Sequence, residues 1–355
     1  MRKAFLILLG LAIGLAISEL GLRAWDSYET SKEKMANFYD CADNLYTHDP
    51  VIGWRLQPNQ SCRQKTVEYD IQYKTNGKGL RDDEEHSYVK DPAKKRIVIL
   101  GDSHTFGQGV ALENTFEKLL ERNTGGEVLN LGVPGYDAGQ YYLALKTEGM
   151  KYNPDIVVLV FYFLNDIDEI NVSSQSGPKP KFSLDNNLLK WENVPQASVF
   201  ETRESKTDYR VKNEKVYELT KWIFDLKTLS LAKILAKEYF YESLSRLGLV
   251  KNLADYDQKF ALFEGIIKKM KELLLGKTLA AVLIPSRNIK YNWFERQMGG
   301  RMGSILKNND IPFVDLTETV IGGKNLYLPK DGHINEKGHE MVAEAIAKLL
   351  GLPNK

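Results

Sequence analysis

Ile97-Val98-Ile99-Leu100-Gly101-Asp102-Ser103-His104-Thr105-Phe106-Gly107-Gln108-Gly109-Val110 is the stretch that decides the fold. A β-branched apolar run stops at a glycine, and a helical periodicity begins near Asn114, so the segment reads as strand, tight loop, helix. Such a strand is buried in a parallel sheet, and in open α/β sheets ligands sit beyond the carboxyl ends of the strands. Ser103 falls at that position. Three glycines within nine residues allow a sharp turn and a close backbone approach. A Gly-Asp-Ser turn alone is common, so its meaning depends on the rest of the chain.

Outward from this point, similar apolar runs at 96–100, 127–131, 155–161, 278–284 and 312–316 alternate with helical patterns. Helices alternating with strands must cover both faces of a parallel sheet, which predicts an α/β fold, a three-layer α/β/α sandwich with a five-stranded parallel sheet. Asn114 and Glu117 have capping-box spacing for the first long helix. Phe260, Phe263, Ile267, Met270 and Leu274 make one apolar helical stripe, which is core packing, and a last helix spans about 336–350.

Three further blocks follow the first in order. They are Asn130-Leu131-Gly132-Val133-Pro134-Gly135, Leu164-Asn165-Asp166 and Asp331-Gly332-His333-Ile334-Asn335. Together the four blocks resemble the SGNH/GDSL hydrolase superfamily over about residues 97–350, and the ordered set carries the resemblance. It implies the flavodoxin-like sandwich of that superfamily and a serine hydrolase without a cofactor or metal.

A serine hydroxyl needs a base within reach and a carboxylate to orient that base, roles that Ser103, His333 and Asp331 can fill. An extended Asp-Gly-His segment would send both side chains the same way. The superfamily more often has the acid three residues before the histidine, so the two-residue spacing here is a departure. By resemblance the oxyanion donors are the Ser103 N–H, the Gly135 N–H and the Asn165 amide, with Gly132 as the alternative to Gly135. Phe163 stands where the family commonly has glycine two residues before the asparagine. His339 lies within the final helix and lacks an upstream carboxylate at comparable spacing on a loop, so His333 is the preferred base. Asp102 is expected to bond loop amides, and His104 to be a polar rim residue, because adjacent side chains diverge.

The 355-residue chain carries a formal net charge of +1 and no basic run with interleaved aromatics, which argues against nucleic acid as a partner. Arg2 and Lys3 precede an uncharged apolar run over 4–17, and a helix continued to Trp25 would approach the span of a bilayer core. Residues 1–26 are therefore expected to be a transmembrane anchor, with a cleaved signal segment as the alternative. Either way the remainder would be extracytoplasmic, in a periplasmic space or secreted. Export and an even count suggest that Cys41 and Cys62 form a disulfide. His48, His86 and His104 are too scattered for a metal-ligand set.

Residues 27–95 read as a small β-rich preface, with a turn at Thr47-His48-Asp49-Pro50, short strands near 52–58 and 67–74, and a solvated acidic loop at Asp82-Asp83-Glu84-Glu85. Residues 96–355 form the hydrolase domain. Alternation stops over about 168–252, where 182–191 looks like a hairpin and a helical pattern resumes near Glu214. This insertion either covers the substrate site or is peripheral.

The expected function is thus a membrane-tethered serine esterase removing small acyl groups, with O-acetyl the expected group, from a glycan through an acyl-serine intermediate. Its partners would be an acylated glycan or other small ester and the membrane. The same residues would serve an O-acyltransferase, and a glycan-binding scaffold that lost turnover is the alternative from another class. A nucleotide binder is disfavoured because the first loop lacks a phosphate-binding signature.

Overall fold

The computed structural model describes residues 10, 13–15, 17–25, 38–39, 41, 45–163, 165–172, 177–186, 188–194 and 253–353. A five-stranded sheet forms the centre, built from β6 (Arg96–Leu100), β7 (Glu127–Asn130), β8 (Ile156–Tyr162), β11 (Thr278–Ile284) and β12 (Phe313–Asp315). Every pairing is parallel and the order is β12-β11-β8-β6-β7. All of β6 and six of the seven residues of β11 are buried, as expected for strands covered on both faces. Each fully buried Val, Ile or Leu there contributes roughly 1.5–3 kcal/mol of apolar transfer free energy.

The helices are α1 (Ser103–Phe106), α2 (Phe116–Thr124), α3 (Ala138–Thr147), α4 (Asp257–Leu274), α5 (Trp293–Asn308), α6 (Thr317–Gly322) and α7 (Glu336–Leu349). Helices α2 and α7 pack together over one face, while α3, α4 and α5 cover the other. The stripe on α4, from Phe260 to Leu274, is buried. Because β6 has β7 on one side and β8 on the other, the chain reverses its direction of travel across the sheet after β7. In open α/β sheets such a reversal marks where ligands sit, at the carboxyl ends of the strands, and Ser103 follows the carboxyl end of β6.

Before the sheet, β1 (Phe38–Tyr39), β4 (Ser61–Lys65) and β5 (Asp70–Lys74) form a three-stranded antiparallel sheet, and β2 (Tyr46–Asp49) pairs with β3 (Gly53–Leu56). Cys41 and Cys62 are disulfide-bonded, with Cα atoms 5.0 Å apart. These strands share the main core. Trp54 is fully buried, its Nε1 donates to Pro134 O at 3.2 Å, and the Tyr136 hydroxyl donates to Trp54 O.

β9 (Lys181–Asp185) and β10 (Leu188–Glu192) make the hairpin read at 182–191, with Trp191 opposite Phe182. It packs on α3 and α4, where Phe182 fills the space beside Gly139 and Leu184 lies beside Gly265. The helical pattern expected near Glu214 lies outside the described residues.

Several expectations are corrected. Among the described residues no helix is long and apolar enough to cross a membrane. The anchor expected over 1–26 is therefore not supported, nor are the membrane partner and the single-pass, membrane-bound periplasmic placement that rested on it. Past residue 17 the helix carries Glu19 and Arg23, paired at 2.7 Å, which interrupt its apolar character, and much of the run over 4–17 lies outside the described residues. The capping box is absent too. Thr115 is the N-cap of α2 without a side-chain bond, and Asn114 instead donates to Glu336 at 2.9 Å. In the acidic run, Asp82 is buried against His86 Nε2 at 2.9 Å and Lys118 Nζ at 2.8 Å, so one member of the expected solvated loop is a core ion pair.

Candidate active site

Asp102 caps α1 by accepting from the His104 N–H at 2.8 Å, which makes Ser103 the first residue of the helix. The Ser103 hydroxyl donates to His333 Nε2 at 2.7 Å, across 230 positions of sequence. On the other side of the ring, Nδ1–H donates to Asp331 Oδ1 in a short contact. These two partners assign the tautomer, with the proton on Nδ1 and the lone pair of Nε2 facing the hydroxyl.

Asp331 and His333 come together differently from the extended geometry expected. Gly332 between them has φ +89°, so the segment turns, and a glycine carries this conformation without the strain of a Cβ. Gly332 N–H donates to Leu328 O at 3.0 Å, and Leu328 N–H donates to His333 O at 2.8 Å, closing the loop on itself. Burial alone would raise the Asp331 carboxyl. The His333 ring, its charge and backbone N–H, and the Tyr69 hydroxyl outweigh that and hold the carboxyl below the ordinary aspartate range.

Asn165 Nδ2 donates to Asp102 Oδ2 at 2.7 Å, which aims the amide at the nucleophile loop. Asp102 is fully buried, and burial raises its carboxyl despite that hydrogen bond. Gly132 and Gly135 differ in what their backbone does. The Gly132 N–H is already donated to Asn130 Oδ1 at 2.8 Å, and a Cβ there would lie 2.6 Å from Phe106 N. Gly132 thus serves close packing of the loop on α1, which removes it as the alternative donor. Gly135 is half-buried.

His104 is not at a rim. It is buried, its Nδ1 accepts from the Ile334 N–H at 3.4 Å, and its ring centroid is 4.8 Å from that of His333. Burial, followed by the charges of His333 and His339, pushes His104 well below the usual histidine range. His339 is also buried, stacked on Phe116, with Nδ1 accepting from the Phe116 N–H at 3.0 Å. Burial pushes it down to about 3, which makes it a poor base near neutral pH. Among the described residues no group of three or more His, Cys, Asp or Glu side chains could hold a metal ion.

Sequence reasoning missed the contribution of the preface. Tyr69 Oη donates to Asp331 Oδ2 at 3.2 Å, while Glu68 accepts from the backbone N–H groups of Lys330 at 2.9 Å and Asp331 at 2.6 Å. Buried Arg81 donates to the carbonyls of Phe106, Gly107 and Val110 at 2.5–2.6 Å. Gly109 N–H donates to the Tyr73 hydroxyl at 2.8 Å. The available signal was the alternation Tyr69, Ile71, Tyr73 with polar residues between, which places both tyrosine rings on one face.

Compared with known proteins, the chain matches no family model and no curated protein. It has low-identity likeness to solved structures. A two-domain esterase active on acetylated mannans is 15% identical with a TM-score of 0.39, over 73% of this chain and 49% of that one, so this chain spans about half of its length. A member of the lipolytic G-D-S-L family from Veillonella parvula is 10% identical with a TM-score of 0.40, over 72% of this chain and 98% of that one. An acetylxylan esterase from Geobacillus stearothermophilus is 13% identical with a TM-score of 0.39, over 75% of this chain and 97% of that one. At such identities and scores these likenesses decide nothing about chemistry, which rests on the geometry of the site.

Proposed function

We propose that this protein is a serine esterase that cleaves small acyl esters through an acyl-Ser103 intermediate. The observation that carries the reading is the unbroken relay from the Ser103 hydroxyl through His333 to Asp331, with 2.7 Å between Oγ and Nε2. In this reading Ser103 Oγ attacks the ester carbonyl as His333 Nε2 takes its proton, and Asp331 stabilises the imidazolium. Negative charge gathers on the carbonyl oxygen, facing the Ser103 N–H, the Gly135 N–H and the second hydrogen of Asn165 Nδ2. Each such donor is worth roughly 3–4 kcal/mol in barrier height.

Collapse of the tetrahedral species breaks the ester C–O bond, and the imidazolium gives its proton to the leaving alcohol. Water then attacks the acyl-serine with His333 as base, releasing the carboxylic acid and restoring the hydroxyl. The substrate class is a small O-acyl ester, with an O-acetylated glycan the natural class to which the sequence resemblance points.

A serine-directed fluorophosphonate probe and p-nitrophenyl acetate test the reading together. Covalent labelling at Ser103, turnover of the ester, and loss of both in Ser103→Ala are expected. A folded protein that neither labels nor turns over is a binding module and refutes the esterase.

A further inference from the structure

The turn between β4 and β5, residues Thr66 to Tyr69, reaches from the small antiparallel sheet to the loop carrying Asp331. Two adjacent side chains there do different things. Glu68 holds the loop backbone by accepting from the Lys330 and Asp331 N–H groups. Tyr69 holds the carboxylate, for its hydroxyl donates to Oδ2 while Oδ1 faces His333 Nδ1. The Tyr69 ring is itself wedged against the nucleophile loop, since a Cβ at Gly109 would lie 3.1 Å from its Cδ1 and Cε1. One side chain therefore touches both loops whose separation sets the distance between Ser103 and His333.

The loop itself supports the orienting acid at one oxygen, for the His333 N–H donates to Asp331 Oδ1 at 3.3 Å, the oxygen that also faces Nδ1, while Oδ2 is bonded from outside the loop by Tyr69. Rotation of the Asp331 carboxylate about Cβ–Cγ would break the contact with Nδ1 unless the second oxygen is held. On these grounds, and resting on the serine-esterase reading of the site, we propose that Tyr69 is a positioning residue. With Glu68, it fixes the Asp331 carboxylate and thereby the imidazole of His333 against Ser103. Burial, with the charge of Asp331, keeps the Tyr69 phenol above its ordinary range, so the hydroxyl remains a donor throughout the working pH range.

The test uses the full chain, p-nitrophenyl acetate turnover and the rate of fluorophosphonate labelling. Tyr69→Phe keeps the ring against Gly109 and removes only the hydroxyl. It is expected to lower kcat and the labelling rate by about tenfold with KM unchanged, the loss that a small misplacement of a reacting group brings. Glu68→Gln, at a half-buried turn position that does not threaten folding, should lower kcat in the same direction. In an Asp331→Asn background, the Tyr69→Phe penalty on labelling should vanish, because the group it positions is already disabled. Unchanged kcat in both single variants overturns the inference, as does an equal Tyr69→Phe penalty in both backgrounds, which marks a structural role. If the unmodified protein neither labels nor turns over ester, the esterase reading falls and takes the inference with it. Turnover in the unmodified protein with no effect in the variants sinks the inference alone.

Discussion

Asn165 Nδ2 donates to Asp102 Oδ2 at 2.7 Å, so the loop after β8 is tied to the residue that immediately precedes Ser103. One amide hydrogen is spent on that carboxylate, and in the proposed reading the other faces the developing charge. Asn165→Ala should therefore lower kcat about 10²–10³-fold, the usual cost of one oxyanion donor. Asn165→Asp should be at least as inactive, because it sets a second carboxylate beside buried Asp102. Steady-state kinetics on p-nitrophenyl acetate check both, and a loss below about threefold in Asn165→Ala would exclude the donor role.

The turned Gly332 separates backbone conformation from contact, because the space around its would-be Cβ is open. Gly332→Ala is expected to cost about 1–2 kcal/mol of stability from the positive φ alone. Gly332→Asn should cost less, since asparagine tolerates that region. Activity should fall further than stability, as any relaxation of φ separates Asp331 from His333. Chemical denaturation alongside kcat tests this, and a variant that is destabilised yet fully active would contradict it.

The C-terminal segment carries two histidines, His333 and His339, and only His333 should matter for turnover. His333→Ala is expected to abolish labelling of Ser103. Asp331→Asn should lower kcat by about 10³–10⁴-fold by favouring the wrong tautomer. His339→Asn should remain reactive to the probe, because that ring is buried against Phe116. The reverse pattern would transfer the role of base to His339.

Stability should fall in acid. His339 is pushed down to about 3 from its ordinary 6.5 by burial, and His104 moves in the same direction. Below pH 6.5 the unfolded chain takes up protons that the folded chain refuses. The stability present above 6.5 is thus lost progressively as pH drops towards 3, by about 1.4 kcal/mol per pH unit for each such group. Urea midpoints at several pH values should show this slope, and His339→Asn should flatten it. An unaltered slope in that variant would show that His339 does not titrate in the way its burial implies.

Glu117 makes the opposite contribution. It is fully buried, and burial raises it to about 8 from 4.5 against the opposing pull of its own backbone N–H, the Arg81 charge and the Thr115 hydroxyl. Between those values the folded chain keeps a proton that the unfolded chain has released, so stability declines as pH rises. Glu117→Gln should melt higher than the unmodified protein at pH 8, with the gap closing towards pH 5. A lower melting temperature at pH 8 would mean that the carboxylate is ionised and usefully paired with Arg81.

What the sequence made legible was local. The strand at 96–100 and that at 278–284 coincide with β6 and β11, because β-branched apolar runs bounded by turn residues have few other destinations. Ser103, His333 and Asp331 could be named because each has a characteristic neighbour, and the structure brings them together. Tyr69 and Glu68 could not, since their partners lie more than 260 positions away and no spacing rule links them. Asp82 looked like surface because charge in a short acidic run favours water, but Lys118 and His86 arrive from α2 and the same loop to neutralise it. Phe182 and Trp191 were readable as a hairpin, yet its seat on α3 and α4 depended on glycines at 139 and 265 that carry no signal in isolation.

Trp54 carries a practical lesson for anyone trimming this chain. Its indole is sealed beneath the loop that holds Pro134 and Tyr136, and the same loop leads through Gly135, so a cut at Lys95 would unroof that loop. A shortened chain starting at Arg96 would present a sticky apolar scar where Trp54, Leu56 and Tyr73 had been, and would clump before its chemistry could be assayed.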